Sequence, residues 1–125
     1  MTTARAAARW TAAACYAAIG AVAAAAPERV PALFGGTATT PEARTEVRTV
    51  YAGIPLALAT SLVTSAALGP VAERATLRAV GTATAGMALA RLVGSAAERR
   101  LAPWPTGSFL ALEACLLYTS DAADE

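Results

Sequence analysis

Three long apolar stretches, at residues 10–26, 50–68 and 79–97, are separated by short connections carrying Arg and Glu. Each is about long enough to cross a ~30 Å hydrocarbon layer as a helix. A fourth begins near Ser108 and is expected to be incomplete. The pattern predicts an all-α protein: an antiparallel four-helix transmembrane bundle whose last helix, from 108 to 114 onward, is truncated. One helical membrane domain covers residues 1–114.

The chain is 56% hydrophobic but only 6% aromatic, and much of the apolar content is alanine. All ten basic residues are Arg, and His is absent. Formal net charge is +1 and Arg is spread over the connections, so no concentrated field points to nucleic acid. Cys15 and Cys115 have neither metal-site spacing nor a His to assist them. Cys15, inside the first stretch, reads as a small buried hydrophobe.

Residues 115–125, Cys-Leu-Leu-Tyr-Thr-Ser-Asp-Ala-Ala-Asp-Glu, bring polar and acidic residues where an apolar span should continue. The string matches the conceptual translation of a transposase sequencing adapter. It is expected to be a non-native tail, to be set apart from fold reasoning. Without Asp121, Asp124 and Glu125, the net charge rises to about +4.

Arg5 and Arg9 precede the first stretch, and Ala24-Ala25-Ala26 could follow as a signal-peptide cleavage site. Pro27 just after that site, and the lack of a Leu-rich centre, favour a retained first span. Pro27 and Pro31 end it. Thr40 is placed to cap the second helix, with Pro41 at its first position and Gly69-Pro70 as its stop. That helix is ~42 Å long. Its first two turns project beyond the apolar part and carry Glu42, Arg44, Glu46 and Arg48. These are solvated, or they pair with the 27–40 loop or a neighbouring helix. Pro55 removes the hydrogen bond to the Tyr51 carbonyl and is expected to kink the helix. Thr60, Ser61, Thr64 and Ser65 are expected to bond back to their own helix or to make inter-helix contacts, not to act as nucleophiles.

In the third helix Gly86, Ala90 and Gly94 recur every four residues, a small-residue seam suited to close helix packing. Thr84, Arg91, Ser95 and Glu98 fall on a different face. An isolated Arg within an apolar span costs ~2.5–3.5 kcal/mol to insert, so Arg91 should face inward and find a partner. Glu113 is the candidate. Arg91 lies ~9 Å below the end of the third span and Glu113 ~9 Å beyond the start of the fourth. The connection 98–105, with Trp104 suited to the water–lipid boundary, makes the two helices antiparallel neighbours. The pair reads either as a register-fixing contact or as part of a polar route or ligand site. Snorkelling of Arg91 to the surface is a further alternative.

No Gly-rich phosphate loop, nucleophile elbow or metal-ligand cluster occurs in the sequence. No catalytic residue, cofactor or metal is therefore assigned, and an enzyme is not expected. Arg counts on the two sides of the spans are four against five, which sets no orientation.

The order of features resembles a bacterial four-helix integral-membrane family catalogued as domain of unknown function 4345. The matching pieces are Pro27 with Leu33-Phe34-Gly35, Glu42-Ala43-Arg44 through Glu46-Val47-Arg48, and Tyr51-Ala52-Gly53 leading into Leu56-Ala57-Leu58. They continue with Gly86-Met87-Ala88-Leu89-Ala90-Arg91-Leu92 and Leu112-Glu113. The family tends to show two glycines after the tyrosine, where this chain has Ala52-Gly53. The resemblance implies a helical membrane protein, supplies no catalytic residues, and singles out Glu46, Arg48, Arg91 and Glu113. The expected setting is the lipid bilayer of a bacterial inner membrane. A second copy or another membrane protein remains open as a partner. The leading expectation for function is a binding or accessory subunit. The alternatives are a transport or channel component using Arg91 and Glu113, and a soluble Ala-rich bundle.

Overall fold

A computed structural model of the chain describes residues 3–122. Among them are five helices and no strand: α1 Thr3–Ala25, α2 Arg29–Ala32, α3 Pro41–Leu68, α4 Pro70–Ala97 and α5 Ser108–Ala122. The four long helices fall where the apolar stretches place them. The single turn α2, between Pro27 and Gly35, is an addition to the sequence expectation. The chain divides into two compact units, one of residues 10–64 and one of residues 1–9 with 65–125.

In the 10–64 unit, α3 starts as its sequence dictates. Thr40 is extended (φ −91°, ψ 155°), and its Oγ1 accepts a hydrogen bond from the Ala43 N–H at 3.1 Å, with Pro41 in the first helical turn. The proline at position 55 acts just upstream of itself. Its ring leaves no room for the Tyr51 carbonyl, and its missing N–H removes one rung of the ladder. The helix answers with a wider π turn over Arg48–Gly53 and returns to α geometry at Ile54. The hydroxyls of Thr60 and Thr64 donate back to the carbonyls of Leu56 and Thr60 at 2.8 and 2.9 Å.

Helices α1 and α3 run antiparallel within this unit. Arg48 lies by Ala24, while Gly20, one turn earlier in α1, lies by Ala52 and Leu56, one and two turns later in α3. The approach is close because Gly20 has no side chain. A Cβ there would stand 2.7 Å from Leu56 Cγ and 3.3 Å from the Ala52 carbonyl oxygen. Ala23 and Ala52 are buried alongside it. Small residues let the two backbones approach and gain dispersion contacts over several turns.

In the other unit, Gly69 (φ +100°) separates α3 from α4, and Pro70 opens α4. The buried face of α4 is Glu73, Leu77, Val80, Thr84 and Ala88, a spacing of three and four residues. Glu113 and Leu116 of α5 are buried as well, and α4 and α5 pack against each other. Helix α5 continues past residue 114 without interruption, so the expected boundary at 115 leaves no break in the backbone. Residues 123–125 of that tail lie outside the described residues.

One helix among the described residues, Pro41–Leu68, is long and apolar enough to cross a membrane by length and composition. The other expected spans do not reach that threshold. Helix α1 is dominated by alanine, whose contribution to insertion is small. Helix α4 carries Glu73, Arg74, Arg78 and Arg91, which lower its mean hydropathy.

Gly20→Ala should lower stability by about 1–3 kcal/mol through overpacking. Adding Leu56→Ala should recover part of that loss, read as melting temperature. An unchanged melting point for Gly20→Ala would mean that α1 and α3 are not this close.

Candidate functional site

Helix α4 turns one stripe inward, and its charged members are paired. Near the start of the helix, Arg9 Nε of α1 lies 3.1 Å from Glu73 Oε1, with side chains only 6% and 3% exposed. Near the other end, Arg91 Nε donates to Glu113 Oε1 of α5 at 2.9 Å, with exposures of 26% and 6%. Glu73 and Arg91 are about five helical turns, or ~27 Å, apart on the same face of α4. Leu77, Val80, Thr84 and Ala88 fill the interval.

Local sequence fixes each group. Glu73 sits in the first turn of α4, its N–H bonded to the Gly69 carbonyl at 3.0 Å, where the positive end of the helix dipole favours a carboxylate. Arg9 sits about two turns inside α1 because that helix begins at Thr3, well before the apolar stretch. The Thr84 hydroxyl is buried and donates to the Val80 carbonyl at 2.8 Å, so it enters the stripe without an orphaned donor. The Arg91 guanidinium also lies over the Phe109 ring, with Cζ 5.0 Å from its centroid, which adds a cation–π contact. Glu113 Oε2 is buried with no hydrogen-bond partner, so the carboxylate depends on Arg91 for its compensation.

The sequence brings Arg91 and Glu113 together, and they meet in the fold. The Arg9–Glu73 pair was not foreseen. Its signal was the spacing Glu73, Leu77, Val80, Thr84, Arg91, which continues the Arg91 face back to the start of α4. Arg9 was hidden because the apolar stretch appears to begin only at Trp10. Arg48 has a structural role: its Nε donates to the Ala24 carbonyl at 3.1 Å, supplying a cation to the last turn of α1. Arg44 donates through Nη1 to the Thr39 carbonyl at 2.8 Å. Both alternatives to solvation thus apply to these two arginines, with backbone carbonyls of the preceding helix and loop as partners. Glu46 is exposed.

The small-residue seam faces outward. Gly86, Ala90 and Gly94 are exposed, and a Cβ on either glycine would meet nothing within 4 Å. Among the described residues, no other group packs closely against either glycine. A helix has one inward face to give, and on α4 the face bearing Glu73 and Arg91 takes it, because buried charges must reach partners.

No group of three or more His, Cys, Asp or Glu side chains able to hold a metal ion occurs among the described residues. A family model described as "Domain of unknown function (DUF4345)" matches residues 5–120. No curated protein and no solved structure matches the chain.

Breaking either pair singly should cost about 3–5 kcal/mol, since a charge is then stranded in the interior. Arg91→Leu and Arg9→Leu should therefore be more damaging than the doubles Arg91→Leu/Glu113→Leu and Arg9→Leu/Glu73→Leu. Double-mutant cycles on yield and melting temperature measure the coupling, and additive effects would remove the pairs.

Proposed function

We propose, starting from the fact that this chain belongs to the DUF4345 family of unknown function, that it is a small helical membrane protein acting as a binding or accessory subunit. One observation carries the reading: charged groups are buried in pairs while large apolar side chains face outward. Arg9, Glu73 and Glu113 are buried, while Ile54 and Leu68 of α3 and Val71, Leu89, Leu92 and Val93 of α4 are exposed. In water that arrangement leaves large apolar side chains solvated and hides charges that water would stabilise. In a bilayer both costs change sign, because lipid takes the apolar surface and the charges pair in the interior.

In this reading the four long helices sit together as a transmembrane bundle. Helix α3 provides the most apolar span, and α1 and α4 are held in by their neighbours. The bacterial inner membrane is the natural compartment for such a bundle. Catalysis is not part of the proposal. The chain has no His, and the buried carboxylates among the described residues, Glu73 and Glu113, each face an arginine. A binding role is preferred to a transport route because apolar side chains fill the stripe between the two pairs.

Fractionation of cells expressing the full chain provides the test. The protein should sediment with membranes, resist an alkaline carbonate wash and enter solution only with detergent. Recovery of a dissolved monomer in plain buffer would overturn the membrane reading in favour of a soluble Ala-rich bundle.

A further inference from the structure

Arg91 has more hydrogen-bond donors than its partner uses. A guanidinium carries five N–H groups in a planar fork. Only Nε is engaged, with Glu113 Oε1, and among the described residues Arg91 makes no other hydrogen bond. Four N–H groups on Nη1 and Nη2 remain. Glu113 does not use them: its second oxygen is buried without a hydrogen-bond partner. Phe109 lies against one face of the guanidinium plane. The side chain is 26% exposed, so the group is held at Nε and on one face while part of it reaches the surface.

A fixed guanidinium edge with paired donors matches the oxygen spacing of a phosphate and binds it through two parallel hydrogen bonds. The surroundings fit. Arg91 lies ~9 Å from the end of α4, within the range over which arginines reach toward the headgroup layer. Arg99 and Arg100 are exposed just beyond that end, and Glu98 stands beside them. Three cations thus face two acids, Glu98 and Glu113. Trp104, exposed in the following connection, is a residue type enriched at the water–lipid boundary.

We propose that the terminal edge of Arg91 binds a phosphate oxyanion, presented by the headgroup of an anionic lipid. Glu113 and Phe109 are positioning residues that hold the guanidinium for it. The proposal rests on the membrane reading, and its test separates the two.

The purified full chain in neutral detergent is titrated with phosphatidylglycerol, and separately with inorganic phosphate, with bound ligand counted by native mass spectrometry. The double variant Arg91→Gln/Glu113→Gln leaves net charge unchanged and strands no carboxylate. It should bind phosphatidylglycerol about tenfold more weakly, the loss expected for charge-assisted hydrogen bonds. Arg29→Gln, which removes one exposed charge from the other unit, should bind like the parent chain. Arg91→Lys keeps the charge beside Glu113 but lacks the fork. It should lose several-fold in affinity, and it decides the matter if the double variant does not fold. Parent-like lipid binding in a folded double variant, or in Arg91→Lys, overturns the proposal. Displacement of lipid by millimolar inorganic phosphate would identify free phosphate as an equivalent source and leave the site standing. If the chain proves soluble in plain buffer, the membrane reading fails and the phosphate arm decides alone. Phosphate binding lost with Arg91 supports the site, and no phosphate binding by the parent chain removes it.

Discussion

A carboxylate withdrawn from water keeps its charge only beside a cation that is itself held in place. Glu73 and Glu113 are both in that position, and each draws its arginine from a different helix. Glu73 on α4 takes Arg9 from α1; Glu113 on α5 takes Arg91 from α4. Within the unit of residues 1–9 and 65–125, the start of α1, α4 and α5 are therefore tied together by two contacts about five turns apart. Apolar packing alone tolerates sliding and rotation, whereas a stranded charge does not. Which face of α4 turns inward follows from this, and so does the exposure of the Gly86, Ala90 and Gly94 seam.

The unit of residues 10–64 is held by other means. Its two long helices meet through alanines and Gly20, where the backbones approach until a single methyl group would collide. The one charged group at this contact, Arg48, meets a backbone carbonyl at the end of α1 and no acid. It answers the orphaned carbonyls that every helix leaves at its C-terminus. The π turn at Arg48–Gly53 places that arginine in the same stretch that absorbs Pro55, so one local distortion serves both needs.

Buried ion pairs beneath exposed apolar side chains unite these details with the proposed bilayer setting. Buried ion pairs are weak contributors to stability in water, where well-packed apolar residues of similar volume often do as well. In lipid the comparison changes, because an arginine facing hydrocarbon has no water to fall back on. Arg91 then stands between two demands: one edge pins Glu113, and the other needs an acceptor. A headgroup phosphate meets the second demand without disturbing the first.

Much of the fold was legible in one dimension. Helix positions followed from apolar runs punctuated by Pro27, Thr40-Pro41 and Gly69-Pro70, because prolines, caps and glycines act on their own few residues of backbone. The Arg91–Glu113 contact was legible too, since an isolated charge in an apolar run must find its opposite and the short 98–107 connection leaves few candidates. Tertiary structure alone decided the rest. It buried Arg9 against Glu73, residues 64 positions apart whose meeting is set by nothing local to either. It also turned the glycine seam outward, because two faces of one helix competed for the interior and the requirement of desolvated charges outweighed the convenience of small side chains.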